Sequence, residues 1–245
     1  MTLKQIGQIC ELARYPVKSM AGTTTESAML GWHGLDGDRR FAFRRLGDRS
    51  GFPWLSASRL PELLLYQPFG FDESTGEPLP THVRTPAGVH VELRSKELEQ
   101  EIAQRFASDV ELMQLKHGIF DDACISVIGR ATMAEISRRA GVEFDSRRFR
   151  ANVVLETNDA KPFEEDAWVG GKLVFGEGER SPEVTVTARD VRCMMINLDP
   201  DTAKQDARML KTVVQLNANN AGVYGTVVQT GALRVGQPVS LLLDR

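Results

Sequence analysis

One cysteine of this sequence lies directly beside a cation. Cys193 follows Arg192 at the predicted end of a strand. A neighbouring guanidinium favours the thiolate, which is the form of cysteine that acts as a nucleophile and binds soft metals. Cys193 is therefore predicted to be a catalytic or metal-binding residue. The alternative is a small apolar side chain buried in a strand, and that role is predicted for Cys10 and Cys124.

Two further segments place a cation in a tight turn. Pro16 makes the first turn rigid, so that Lys18 and the hydroxyl of Ser19 can meet one oxyanion together. In the second, glycines allow a close loop in which Asp38 can orient Arg39 toward a carboxylate or a phosphate. The alternatives are a solvated lysine and a surface ion pair worth ~0–1 kcal/mol.

A cluster of arginines precedes an apolar strand. Arg147, Arg148 and Arg150 lie within four residues and predict an anion-binding segment. If the strand begins at Ala151, Arg150 and Asn152 share a face and can bind the same ligand. The alternative is a cluster of ion pairs between domains.

An acidic run lies further along the chain, where Glu164, Glu165 and Asp166 precede Trp168. These carboxylates could donate a proton or hold the arginines in place. A solvated acidic face is the alternative.

The spacing of cysteine and histidine excludes several kinds of site. The three cysteines form no CxxC pair and no disulfide framework, and the four histidines form neither HxH nor HExxH. A local zinc motif, a thioredoxin-type motif and a four-cysteine iron–sulfur site are therefore excluded. A histidine and a cysteine that meet only in the fold stay open as a nucleophilic pair.

Composition narrows the class of protein. The chain has 245 residues, of which 42% are hydrophobic and 26% charged, with a net charge of −3. This length allows one large domain or two small ones with a sizeable core. The balanced charge predicts no nucleic-acid partner and no anionic membrane surface as a partner. No apolar run approaches the ~20 residues that span a bilayer, and the start has no secretory h-region, so we expect a cytoplasmic protein.

Strand patterns dominate the chain. Alternation of apolar and polar residues predicts a hairpin over residues 82–93 and strands around Phe41 and Val184. Residues 222–230 and 238–243 also have an extended pattern. Residues 67–81 and 177–182 are rich in glycine, proline and acidic residues, which predicts loops.

Helical patterns are fewer. Leu98, Ile102 and Phe106 recur at helical spacing, and Arg130–Ala140 has an apolar face that ends at Gly141. Residues 206–216 fit a third helix or a strand. The fold class predicted is mainly β with a few helices (α+β), with an antiparallel barrel-like domain and a smaller N-terminal β-rich domain. We place the N-terminal domain at residues 1–112 and the barrel at residues 113–245.

These segments, taken in order, resemble the MOSC family, named for the C-terminal domain of molybdenum cofactor sulfurase. YPVKS and GLDGDRRF resemble the β-barrel domain that precedes the MOSC domain. Five later segments resemble the MOSC domain itself, namely DDACISVIGRATM, RRFRANVVLE, PFEEDAW, RCMMINLDPDT and YGTVVQTGALRVGQPV. Within the family, the combination is similar to the amidoxime-reducing molybdenum proteins. Gly129 departs from the pattern, because the family has a serine there.

The resemblance implies a cofactor and its contacts. Cys193 matches the thiolate that binds molybdenum, which a pterin dithiolene also holds. The positions that match contacts to the pterin and its phosphate are Lys18, Ser19, Arg39, Arg150, Asn152 and Arg192. The family acids at Asp166 and Asp199 have no role that the sequence assigns. Some relatives carry a ferredoxin-like domain, but three cysteines are too few for such a cluster, so we expect no iron–sulfur cluster in this chain. Nothing suggests a pyridoxal-phosphate site.

The resemblance also implies a reaction, namely reduction of a small N-hydroxylated substrate from N–OH to N–H with release of water. The electrons would come from a separate donor protein of the ferredoxin, flavodoxin or cytochrome type. One alternative is a sulfur carrier that holds a persulfide on Cys193 for assembly of a metal–sulfur cofactor. Another is a cofactor-binding module without activity.

Overall fold

The computed structural model describes residues 2–71 and 78–243. Across this part of the chain, no helix is both long and apolar enough to cross a membrane. The strands are β1 (Thr2–Arg14), β2 (Thr23–Thr24), β3 (Ser27–Gly31), β4 (Gly34–Leu35), β5 (Phe41–Arg45), β6 (Gln67–Phe69), β7 (His82–Arg84), β8 (His90–Glu92), β9 (Val110–Gln114), β10 (Ile125–Gly129), β11 (Val153–Thr157), β12 (Lys172–Phe175), β13 (Glu183–Val191), β14 (Asn220–Gln229), β15 (Gly231–Arg234) and β16 (Pro238–Leu243). The α-helices are α1 (Lys96–Phe106), α2 (Arg130–Ala140) and α3 (Arg208–Asn217).

Seven strands close into a β-barrel. Their order is β11-β10-β14-β13-β12-β16-β1, and pairing of β1 with β11 closes the ring. Every neighbouring pair is antiparallel except β10 and β11, which are parallel and are joined through α2. A parallel pair needs such a crossover because its strands run in the same direction. The predicted fold class, mainly β with a few helices and a barrel-like domain, is confirmed.

The barrel is filled from the alternating faces of its strands. Ile9 and Leu12 of β1 pack with Val184 and Val186 of β13 in one apolar core. At Gly225 of β14, a Cβ atom would lie 2.2 Å from a methyl carbon of Val184. Glycine at this position therefore allows β13 and β14 to pack closely.

The N-terminal segments build a second core beside the barrel. Phe41 and Phe43 of β5 pack there with Leu98 and Ile102 of α1. However, β1 belongs to the barrel and β3 pairs with β15, so the N-terminal residues interlock with the later strands. The division after residue 112 stays a prediction.

Most predicted elements are present. Strands β7 and β8 form the predicted hairpin. Residues 206–216 were compatible with a helix or a strand, and most of them form helix α3. Helix α2 ends at Ala140, and its C-cap residue Gly141 has φ 63°, a left-handed conformation that glycine adopts easily. The loop predicted over residues 67–81 is wrong at its start, because Gln67–Phe69 pairs with β7. Residues 72–77 of that loop lie outside the described residues.

Candidate functional site

A cavity of about 380 Å³ lies where the turn after β1, the segment after β9 and the end of β13 meet. Its wall includes six of the seven residues that the sequence predicted for cofactor binding. These are Lys18, Ser19, Arg39, Arg150, Arg192 and Cys193. The chain therefore brings together side chains up to 175 positions apart, Lys18 and Cys193 being the extremes.

Cys193 offers an exposed thiol to this cavity. One residue, Arg192, separates it from the end of β13. Cys193 precedes the 3₁₀ helix Met194–Asn197 and is its N-cap residue, with φ −97° and ψ 179°. The strand end and the 3₁₀ helix thus fix the backbone on both sides of the sulfur. An exposed thiol in a cavity wall is accessible to a metal or to a sulfur donor, whereas a buried core cysteine is not.

Arg192 is held firmly in the wall. Its Nη1 donates to the carbonyl of Phe149 at 2.6 Å and its Nε donates to that of Ala221 at 2.7 Å, while its Nη2 lies 2.9 Å from a carboxylate oxygen of Asp190. Gly222, with φ 86°, makes room for this guanidinium, because a Cβ there would lie 3.1 Å from Nη2. The predicted effect of this cation on the thiol of Cys193 stays a prediction.

Asp190 is a buried carboxylate behind Arg192. It accepts a hydrogen bond of 3.1 Å from the hydroxyl of Ser126 and is 2% exposed. Burial raises its pKa, although the Arg192 guanidinium opposes that effect. Burial, Asp190 and Asp121 also raise the pKa of Tyr224, which lines the same cavity.

Arg39 is a buried cation with two carboxylate partners. Its Nη1 lies 2.5 Å from Asp38, and its Nε lies 2.5 Å from Asp121. Its Nη2 also donates to the backbone carbonyl of Arg150 at 2.9 Å. Burial disfavours the charged guanidinium, but Asp38 and Asp121 outweigh burial and raise its pKa. The predicted orientation of Arg39 by Asp38 is confirmed, and the alternative of a surface ion pair is wrong.

Asn152 lies behind this group and is 1% exposed. Its Oδ1 accepts from Nη1 of Arg39 at 3.2 Å and from the backbone N–H of Ser126 at 3.1 Å. Its Nδ2 donates to the carbonyl of Ala13 at 3.2 Å. Asn152 therefore ties β1, β10 and the segment before β11 to Arg39. The premise that the strand begins at Ala151 is wrong, because β11 begins at Val153.

Arg150 differs from the other arginines of the cavity. Its φ is 52°, its guanidinium lies 4.2 Å from the centre of the Tyr15 ring, and its Nη1 donates to the carbonyl of Met20 at 2.8 Å. Among the described residues, no carboxylate forms an ion pair with it. Burial, together with the like charge of Arg39, lowers its pKa to about 10, so it stays cationic at neutral pH. It also borders a second cavity of about 510 Å³.

Lys18 and Ser19 complete the cationic side. The ammonium of Lys18 donates to the carbonyl of Phe120 at 2.8 Å, and burial lowers its pKa while Asp121 opposes that effect. Ser19 is buried and has a left-handed φ of 68°, so the turn places it on the cavity wall next to Lys18.

Comparisons with known proteins identify the family of this chain. The family model described as MOSC domain matches residues 114–240. The chain belongs to the MOSC domain family. Mitochondrial amidoxime reducing component 2 of Bos taurus is 24% identical over 293 residues, which cover 97% of this chain and 84% of that protein. Mitochondrial amidoxime-reducing component 1 of Homo sapiens is 23% identical, covering 98% and 84%.

A solved structure shares the fold of this MOSC protein. The YuaD protein from Bacillus subtilis has a TM-score of 0.50 and 12% identity, covering 100% of this chain and 98% of that one. At this identity the likeness concerns the fold alone.

The acidic segment of the MOSC protein serves structure. Glu165 is fully buried and accepts from the hydroxyl of Thr132 at 2.8 Å, so the alternative of a solvated face is wrong at this residue. Asp166 contacts Arg189 at 3.5 Å and accepts from Asn217 at 2.8 Å. These carboxylates therefore do not hold the arginines of residues 147–150. Asp199 does contact one of those arginines, Arg148, at 2.7 Å.

Sequence reasoning missed several residues of the wall. Asp121 and Asp190 carry the counter-charges of Arg39 and Arg192. Tyr15, which lines the second cavity, lies beneath Arg150 and was also missed. Asp121 and Tyr15 fall within quoted family segments, but only the fold shows that they meet arginines. Phe52 and Val191 were missed as well, and their side chains are 49% and 63% exposed at the cavity.

Proposed function

We propose that this MOSC protein is a molybdenum-cofactor-dependent oxidoreductase that reduces N-hydroxylated compounds. One observation carries the proposal: the exposed thiol of Cys193 lines the same cavity as the half-buried cation of Arg150, which has no carboxylate partner among the described residues. A cation partly withdrawn from water favours a charged partner, and an anion bound in the cavity would supply the partner that Arg150 lacks among the described residues. A phosphorylated cofactor with a soft metal meets both requirements.

The donor set fits such a group. The described residues contain no cluster of three or more histidine, cysteine or acidic side chains that could hold a metal ion. A metal beside Cys193 would then take this thiolate from the protein and its other ligands from the cofactor, and thiolates suit soft metal centres. Bound cofactor would supply the redox-active metal at which the N–O bond is reduced.

The cationic side would hold the phosphate. Arg150, Lys18 and Ser19 present a guanidinium, an ammonium and a hydroxyl, which are the donors that bind oxyanions best. Arg39 is fixed by Asp38 and by Asn152, so its position is set before any ligand binds. Arg192 fixes the backbone before Cys193, and in this way it positions the thiolate.

The reaction needs two electrons and two protons for each N–OH group, and it yields N–H and water. We propose that the electrons come from a separate donor protein of the ferredoxin, flavodoxin or cytochrome type. The hydroxyl of Tyr224, whose pKa burial raises, lines the same cavity and hydrogen-bonds Asp190, so it helps to hold that carboxylate behind Arg192. No iron–sulfur cluster or pyridoxal phosphate enters this proposal.

A direct assay tests the reaction. Protein loaded with molybdenum cofactor is mixed with benzamidoxime and chemically reduced methyl viologen, and benzamidine is measured. We expect turnover by the wild type and a loss of at least about 100-fold in Cys193→Ala, equal to ~2.7 kcal/mol of transition-state stabilisation. Loaded wild-type protein that forms no benzamidine from reduced dye would contradict the proposed reaction.

Exposure of Cys193 also favours a second candidate, a sulfur carrier. Its thiolate would take the terminal sulfur of a donor persulfide and release the donor thiol. A carrier needs the exposed thiol but not the cation Arg150. Mass spectrometry therefore separates the two functions: a persulfide on Cys193 that persists in Arg150→Gln, with no pterin in the wild type, supports the carrier.

A further inference from the structure

Arg148 is a buried arginine that the proposed cofactor contacts leave out. It ends the 3₁₀ helix Ser146–Arg148, whose N-cap residue Asp145 accepts from the backbone N–H of Arg147 at 2.9 Å. Only 7% of Arg148 is exposed, and its side chain borders the cavity that contains Cys193. The 3₁₀ helix of Arg148 packs against the one that follows Cys193.

The guanidinium of Arg148 is satisfied on one nitrogen only. Its Nη2 donates to Asp199 at 2.7 Å. Its Nε and Nη1 have no hydrogen-bond partner within the described ranges, and both atoms are shielded from solvent. Buried donors are almost always hydrogen-bonded, so two free donors on one cation indicate a missing acceptor.

Neighbouring arginines do not share this feature. Arg147 is exposed and its guanidinium contacts both Asp145 and Asp201. Arg39 has protein acceptors or carboxylates at all three nitrogens. Arg192 has one buried nitrogen without a hydrogen bond, Nη2, but that atom lies 2.9 Å from the carboxylate of Asp190. Among the described arginines, Arg148 is the one with two buried donors that lack a partner.

We propose that Arg148 binds an oxyanion in the cavity through Nε or Nη1, while Asp199 keeps Nη2 in place. This inference rests on the proposed function for the source of the oxyanion, which is either the phosphate of the cofactor or an anionic group of the substrate. Guanidinium donors match both phosphate and carboxylate oxygens. Side chains of the cavity wall must move for the oxyanion to reach the shielded Nε and Nη1 atoms. Met194 and Met195 belong to this wall, and their unbranched side chains can change conformation most easily.

The test compares Arg148→Gln with the matched control Arg147→Gln. Inorganic phosphate is titrated into metal-free protein at constant ionic strength, and the Kd is measured by calorimetry. We expect the wild type and Arg147→Gln to agree within about twofold and Arg148→Gln to bind at least about tenfold more weakly, a difference of ~1.4 kcal/mol. If Arg148→Gln fails to fold, Arg148→Lys takes its place in the titration. This variant keeps the charge beside Asp199, and we expect it to bind phosphate with intermediate affinity.

A second measurement identifies the source of the oxyanion. Pterin is quantified in wild type and Arg148→Gln purified from cells that make molybdenum cofactor. Loss of pterin together with phosphate affinity indicates the cofactor phosphate, whereas retained pterin with lost phosphate affinity indicates a substrate oxyanion. The inference is overturned if the wild type does not bind phosphate or if Arg148→Gln binds it as tightly. Absence of pterin from the wild type contradicts the proposed function and leaves the phosphate titration as the test of Arg148.

Discussion

At the scale of single residues, some cations of the cavity already have carboxylate partners and others do not. Arg39 and Arg192 have their counter-charges in Asp121 and Asp190, so they hold the wall in shape. Arg150 has a carbonyl and an aromatic ring but no described carboxylate. We therefore expect Arg39 and Arg192 to contribute mainly to structure, whereas the charge of Arg150 is available to a ligand.

This difference leads to a prediction for Arg150→Ala. We expect cofactor binding to weaken by ~2–5 kcal/mol, because a ligand anion would lose its buried partner. The free energy of unfolding of metal-free protein should change by no more than about 1 kcal/mol, since removal of a half-buried cation without a carboxylate partner offsets the lost hydrogen bond. Pterin content and urea denaturation measure the two quantities. Unaltered cofactor content in this variant would show that Arg150 does not bind the ligand.

At the scale of elements, helix α2 begins without a side-chain cap of its own, because its N-cap residue is Gly129. Glu165, from a distant segment, takes that place: its carboxyl accepts from the N–H of Gly129 at 3.4 Å and from the hydroxyl of Thr132 at 2.8 Å. Burial raises the pKa of Glu165 to about 7, although these hydrogen bonds oppose that effect. The start of α2 is therefore coupled to the protonation of one buried carboxyl.

The coupling predicts how stability depends on pH. A carboxyl whose pKa is raised in the folded state contributes stability that is fully present below its unfolded pKa of about 4.5, and loses it as pH rises through about 7. Glu165→Gln cannot ionise. We subtract the free energy of unfolding of the wild type from that of Glu165→Gln. We expect this difference to be about 2 kcal/mol larger at pH 8 than at pH 5, which means that the variant gains relative stability as pH rises. Urea denaturation at both pH values measures this, and an equal difference at pH 5 and pH 8 would contradict it.

At the scale of the whole molecule, the N-terminal strand belongs to the barrel of the C-terminal part. Strand β1 lies between β11 and β16, and its first residue Thr2 pairs with Leu243. Without β1 the ring of seven strands is open and two strands have an unpaired edge. The family segment at residues 114–240 therefore depends on residues that precede it by a hundred positions.

A fragment of residues 113–243 is therefore predicted to lack cooperative unfolding. A matched control appends residues 2–14 after Leu243 through a short turn, which the antiparallel register of β1 and β16 permits. We expect the control to melt cooperatively and the fragment to show a broad transition by circular dichroism. A fragment that melts as sharply as its control would show that β1 is dispensable.

The sequence predicts the parts that are local in the chain. Helix α1 follows from its periodicity, and Lys18 and Cys193 are recognisable because their residue types stand in turns or beside cations. Contacts between distant residues are not recognisable in this way. The pairing of Asp190 with Arg192 spans two residues, but the acceptors of Arg192 at Phe149 and Ala221 lie 43 and 29 positions away.

The central claim is that Cys193 binds the metal of a pterin cofactor, and metal content tests it most directly. Wild type, Cys193→Ala and the control Cys10→Ala, a cysteine outside the cavity, are purified from cells that make molybdenum cofactor. Molybdenum and pterin are measured per chain, with thermal melting to check folding. We predict near-stoichiometric molybdenum in the wild type and in Cys10→Ala, and its loss from a Cys193→Ala variant that melts like the wild type. Equal molybdenum in Cys193→Ala and wild type, or none in either, would contradict the claim.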